Sequence, residues 1–208
     1  MAQSLKPNAY LAHRTAMFLN GLCDDSPQTI HINVEQSQHH KRNTNTLTQD
    51  GIDKAFKNKA RVSNEIAEAN DTQVCITHGQ RTDQLGVEIQ NGQMGESLHV
   101  TNIERTLIDI TVRPVYAGGS KEVLKAYKKA AGIVSINELH KTLKEMNFVY
   151  PFHQSVGFYL ETSKAFSTKD IEAFEKINKE FDFYLDYRMK DASYSEKWRV
   201  FYPKDLAS

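Results

Sequence analysis

Two carboxylates on a short stretch are the residues best suited to metal-assisted hydrolysis. Asp83 is followed by Glu88-Ile-Gln90, and a metal-dependent nuclease needs two such acids to hold a divalent ion, with a lysine nearby to stabilise developing charge. Gln90 stands where that lysine belongs, and Thr82-Asp-Gln-Leu-Gly86 reads as an ordinary turn. A nuclease built on Asp83 and Glu88 is therefore the alternative reading, not the leading one. Histidines and cysteines offer no metal site. His39 and His40 are adjacent, so they cannot turn both rings to one ion as an i, i+4 helix pair does, and Cys23 and Cys75 have no partner at zinc spacing. Phosphate-loop, dinucleotide and nucleophile-elbow patterns do not occur. Neither a metal nor a cofactor is expected.

Cationic side chains form the other chemical pattern. At about 100° per residue, Lys54, Lys57 and Arg61 fall within about 60° of one another, opposite Ile52 and Phe56. Lys121, Lys125, Lys128 and Lys129 fall opposite Val123, Leu124, Tyr127 and Ala131, and Lys41 and Arg42 add charge in a polar loop. Residues 101–160 hold eight basic and five acidic groups. These faces are candidates for contact with nucleic acid or a protein partner, and nucleic-acid contacts would go to the phosphate backbone, with little sequence preference and strong salt dependence. Aromatic residues do not interleave with them, so base stacking is not expected.

Periodicity places these groups on elements. Residues 10–22 read as a helix with Leu11, Thr15, Phe18, Leu19 and Leu22 inward, 30–34 as a strand, 36–48 as an exposed loop and 51–69 as a helix. Strands are expected at 73–78, 85–90 and 97–100, with glycine turns between them. Thr101-Asn-Ile-Glu104 and Ser135-Ile-Asn-Glu138 are capping-box patterns opening helices to Val112 and about Asn147; Ser120 caps another over 121–131. Further helices are expected over 151–161 and 167–181, then two strands, 183–188 and 198–202, forming a hairpin around a polar loop. The fold class is α+β (mixed α/β): a small mixed sheet in the N-terminal half, a mainly helical C-terminal half and a closing two-stranded hairpin.

With 208 residues, 26 Lys+Arg against 26 Asp+Glu, and two cysteines, the composition excludes a strongly basic nucleic-acid coater and a disulfide framework. The longest uncharged run, Met146–Leu160, contains Pro151 and His153 and fits no membrane span, and no secretory signal opens the sequence. A cytoplasmic protein that does not enter the membrane is expected.

Three segments together resemble one family. They are Asn8-Ala-Tyr-Leu-Ala-His-Arg-Thr-Ala-Met-Phe-Leu-Asn-Gly-Leu22; Val100-Thr-Asn-Ile-Glu-Arg-Thr-Leu-Ile-Asp109 with Arg113-Pro-Val-Tyr-Ala-Gly-Gly119; and Gly157-Phe-Tyr-Leu-Glu161. This sequence resembles the C-terminal domain of AbiEi-type antitoxins of phage-defence (abortive infection) loci, over roughly residues 8–162. The resemblance implies a type IV antitoxin and transcriptional regulator whose partner is an AbiEii-type nucleotidyltransferase toxin. It also implies an antitoxin domain over 1–162; the helix and hairpin that extend the same domain over 163–208 lie outside the resemblance and are read from pattern alone. Family members usually begin with a winged helix-turn-helix, and here the antitoxin-like segment starts almost at once. Glu104, Arg105, Asp109, Arg113, Pro114, Gly118 and Gly119 carry the family motif, and their expected role is structural, with Arg105 and Asp109 paired at i, i+4. The expectation is a non-enzymatic antitoxin with possible DNA contacts.

Overall fold

The computed structural model describes residues 2–37, 46–69, 72–92 and 94–206. Its N-terminal half is organised by one sheet of strands β1 (Tyr10–Leu11), β2 (Thr29–Glu35), β3 (Ile66–Ala69), β4 (Thr72–Gly79), β5 (Val87–Asn91) and β6 (Ser97–Thr101), in the order β3-β4-β2-β1-β6-β5. The β2–β4 and β1–β6 pairs are parallel and the others antiparallel, so the sheet is mixed. Helix α1 (His13–Leu19) packs beside β2, and α2 (Gln49–Lys57) enters with Thr48 accepting from the Gly51 N–H. The rest is mainly helical: α3 (Ile103–Val112), α4 (Ser120–Ala130), α5 (Ile136–Met146), α6 (Phe152–Ser163) and α7 (Thr168–Glu175). Strands β7 (Phe183–Tyr184), β8 (Ala192–Ser195) and β9 (Val200–Pro203) close the fold. The α+β class is therefore the observed one.

Several local expectations are corrected. Tyr10 and Leu11 do not start the first helix; they pair with β2 and β6, and the buried face of α1 is His13, Thr15, Ala16 and Met17 while Leu19 is exposed. The helix expected over 51–69 stops at Lys57, because Ile66–Ala69 is taken up as an edge strand along β4. Asn102, not Thr101, caps α3, its side chain accepting from the Arg105 N–H at 2.9 Å, while Thr101 ends β6. Ser120 is the first helical residue of α4 and not its cap, since Gly119 takes that place with φ +98°. The C-terminal hairpin is instead a three-stranded sheet, β7-β9-β8, in which β7 runs parallel to β9.

Two apolar clusters result. The smaller lies on the first sheet and includes Leu11, Ile32, Val74, Ile76 and Val100. The larger unites Leu107 and Ile110 of α3, Tyr127 of α4 and Tyr159 of α6 with Phe174, Phe183, Trp198 and Val200. Residues before and after position 162 thus share one core. No helix among the described residues is long and apolar enough to cross a membrane.

Candidate functional site

Helix α3 carries a charged pair into the junction between sheet and helices. Arg105 and Asp109 are both buried, with Nε donating to Oδ1 at 2.9 Å. Leaving an arginine here unpaired would cost several kcal/mol, and three further contacts hold it: Nη1 reaches the Leu85 carbonyl at 2.6 Å and Thr82 Oγ1 at 3.1 Å, and Nη2 reaches the Tyr10 hydroxyl at 3.2 Å. Tyr10 in turn accepts from Asn33 Nδ2 at 2.8 Å, and Thr77 donates to Asn33 Oδ1 at 2.9 Å. Burial works against the charge of Arg105, but Asp109 beside it holds the guanidinium protonated. Burial pushes the Asp109 carboxyl up, against the pull of Arg105, and drives the Tyr10 phenol above its ordinary range. The network joins β1, β2, β4, α3 and the turn before β5.

Against this network lies a cavity of about 240 Å³, walled by His13, Asn33, Gln36, Gln80, Asp109 and Arg113 on its polar sides and by Val112, Met146 and Phe148 on its apolar ones. His13 adopts φ +53°, the left-handed region that a non-glycine residue enters at a cost, and its Nδ1 is buried without a partner. Burial, with help from His31 and Arg113, holds its ring neutral. The neighbouring His31 also has an unpartnered Nδ1, and burial depresses its pKa to about 4.

A wider cleft of about 610 Å³ shares Val112, Arg113 and Phe148 with that cavity. Lys59, Arg61 and Arg113 line it, together with Tyr150, Phe152 and Tyr187; among the described residues no acid does. Burial raises the Tyr187 phenol, and Arg113 and Arg61 both lie near enough to pull it the other way. Cations and rings on one wall suit a ligand that is anionic and partly planar.

The expected sites fare unevenly. Lys54 and Lys57 stand exposed on α2, but Arg61 lies beyond the end of that helix and belongs to the cleft. On α4 the four lysines are exposed, yet three are paired: Lys121 with Asp205 at 2.6 Å, Lys125 with Glu122 at 2.7 Å, and Lys129 with Asp24. Lys128 alone of the four makes no ion pair among the described residues. Lys41, Arg42, His39 and His40 lie outside the described residues. Asp83 pairs with Arg81, and Glu88 on β5 accepts a long 3.5 Å bond from Asn102. Among the described residues no three His, Cys, Asp or Glu side chains gather where a metal ion fits.

Of the residues expected to carry the family motif, Arg105, Asp109 and Arg113 converge on the cavity. Glu104 accepts from the Ser135 N–H at 2.8 Å, tying α3 to the start of α5. Pro114 opens a 3-10 turn, and Gly118 and Gly119, at φ +99° and +98°, let the chain reverse into α4. Sequence reading missed His13, Asn33, Lys59 and the four rings of the cleft, Phe148, Tyr150, Phe152 and Tyr187. Only His13 carried a local signal, an isolated histidine at the start of an apolar stretch.

The fold is similar to that in the crystal structure of the RV2827C protein from Mycobacterium tuberculosis, with a TM-score of 0.60 at 14% identity, over 97% of this chain and 64% of that one. The likeness is one of fold. This chain spans just under two thirds of that neighbour's length. No family model matches the chain, and no curated protein does.

Proposed function

We propose that this chain is the antitoxin of a phage-defence toxin–antitoxin pair, a cytoplasmic regulator that neutralises a nucleotidyltransferase toxin and catalyses nothing itself. One observation carries the reading beyond bare sequence resemblance. Arg105, Asp109 and Arg113 of the motif that carries the resemblance occupy the junction of sheet and helices and border its cavity, and the Gly118-Gly119 pair turns the chain into α4. The resemblance thus rests on residues with demanding geometry, not on scattered surface matches.

Contact with duplex DNA through α4 has less support than the pattern of lysines alone gave it. Salt bridges to Asp205, Glu122 and Asp24 offset three of the four charges, and a phosphate would have to displace those carboxylates. Lys54, Lys57 and Lys128 remain available, too few for strong non-specific binding.

Co-expression decides the main claim. The neighbouring gene should encode a nucleotidyltransferase, and cells carrying that toxin should grow when this chain is also expressed. Continued arrest, with both proteins soluble and present, would refute the antitoxin reading.

A further inference from the structure

We propose that the cleft between the 58–61 segment, the end of α3 and the 148–150 turn binds a nucleotide unit of single-stranded nucleic acid, with phosphates on Lys59, Arg61 and Arg113 and a base entering the cavity beside Asp109. This inference does not depend on the antitoxin reading.

Four features converge on it. First, the three cations share a cleft without an acid among its described walls, unlike the paired lysines of α4, and neither Lys59 nor Arg61 makes an ion pair among the described residues. Second, Phe148, Tyr150 and Tyr187 are only partly buried, so ring surface remains for a planar group. Tyr187 already stacks on Phe56 at 4.4 Å and 18°, which fixes the orientation of its ring. Third, the cleft shares the walls Val112, Arg113 and Phe148 with the smaller cavity, whose polar end is not satisfied by the protein. The Asp109 carboxylate accepts only from Arg105 Nε among the described residues, and His13 Nδ1 is buried with no partner. Fourth, the two adjoining pockets together offer cations, ring surface and a hydrogen-bond acceptor. That matches phosphate, stacked base and base edge.

A duplex does not suit this shape. Its bases are stacked on one another and unavailable to side-chain rings, whereas every unpaired base offers a face. An exocyclic amine on the entering base gives Asp109 a donor, so adenine is preferred to thymine.

The probes are fluorescein-labelled dA10 and dT10, with AMP, inorganic phosphate, poly-glutamate and a 20-base-pair duplex as competitors, all titrated against the whole chain. Expected are binding of dA10 tighter than dT10, a log–log salt slope near −2 for three phosphates at about −0.7 each, and weaker competition by AMP than by the strand. Lys59→Gln with Arg61→Gln should flatten that slope by about 1.4. Tyr150→Leu should weaken binding roughly five- to 150-fold, as loss of one stacked base does, and Tyr150→Phe should restore it. Melting curves for each variant separate loss of binding from loss of fold. Reversing Lys121, Lys125 and Lys128 to Glu should leave binding of dA10 unchanged, which also separates this site from the α4 face.

The proposal is overturned if the strand fails to bind at low salt, if the duplex competes as well as dA10, or if the Lys59/Arg61 pair of substitutions has no effect. Competition by phosphate as strong as by AMP would reduce the site to an anion site and refute a bound base. Equal competition by poly-glutamate would point instead to an acidic protein segment and refute the nucleotide. Equal binding of dA10 and dT10 would refute placement of the base edge beside Asp109. Rescue from a toxin plays no part in any of these measurements, so either proposal can fail while the other stands.

Discussion

Arg105 is held at four acceptors drawn from three parts of the chain, so its removal leaves more than one group stranded. Arg105→Ala should lower stability by about 3–5 kcal/mol, because Asp109 then remains buried and unpaired. Arg105→Lys should recover only part of this, since an ammonium on a flexible stem cannot span the same fork of acceptors. A denaturant titration of the two variants checks both statements, and a midpoint unchanged in Arg105→Ala would show that the pair contributes no more than an exposed one. The two histidines behind this pair predict a pH dependence. His31 titrates at about 4 in the folded chain against an ordinary 6.5, and His13 is depressed as well. Unfolded histidine therefore takes up protons that the folded protein refuses, so this contribution is fully present above pH 6.5 and is lost as pH falls through about 4. For His31 alone the loss is on the order of 3 kcal/mol. Unfolding free energies at pH 7.5 and 5 should differ by about 2 kcal/mol through His31, and His31→Leu should flatten the slope by about one proton.

Helix α6 shows how an element can be specified by one missing atom. A Cβ on Gly157 would lie 2.0 Å from Cζ3 of Trp198, and Glu161, one turn on, accepts from the indole Nε1 at 2.6 Å. Gly157→Ala should therefore cost about 1–3 kcal/mol or more through overpacking. Because the chain has one tryptophan, its emission reports directly whether that ring has been displaced, and an unshifted spectrum with unchanged stability would refute this account. Elements with local signals were legible in the sequence. Ser135 capping α5 and the start of α7 at Ser167 needed no knowledge of distant residues, but the helix expected to run to 181 stops at Glu175, so Ile177 and Phe181 of its apolar stripe lie beyond it. Residues 58–69 were not, because Ile66-Ala-Glu-Ala69 is locally a fair helix former and becomes a strand only by pairing with β4. Tyr10-Leu11 failed for the same reason, since two residues make a strand only when neighbours on both sides claim them. The cleft was the least legible part. Its walls come from 55–61, 112–115, 148–152 and Tyr187, and no window of sequence contains them together.

The molecule as a whole has two apolar clusters and one buried polar junction, with α3 contributing to both the junction and the larger cluster. That sharing predicts a single cooperative transition. Far-UV circular dichroism, which weighs all elements, and Trp198 emission, which watches the helical half, should give superimposable melting curves. Curves with separate midpoints would show that the sheet and the helical layer unfold independently. The larger cluster also has a consequence for how the chain is made. Trp198 and Val200 fill the centre of a core whose other members, Leu107, Tyr127 and Tyr159, are synthesised up to ninety residues earlier. At about 5–20 residues per second, the residues of α3 wait several seconds before Trp198 is added. During this interval the nascent chain presents an apolar surface that chaperones and proteases can recognise, and the mature chain does not. Capture of the unfinished core therefore competes with the arrival of Trp198 during synthesis.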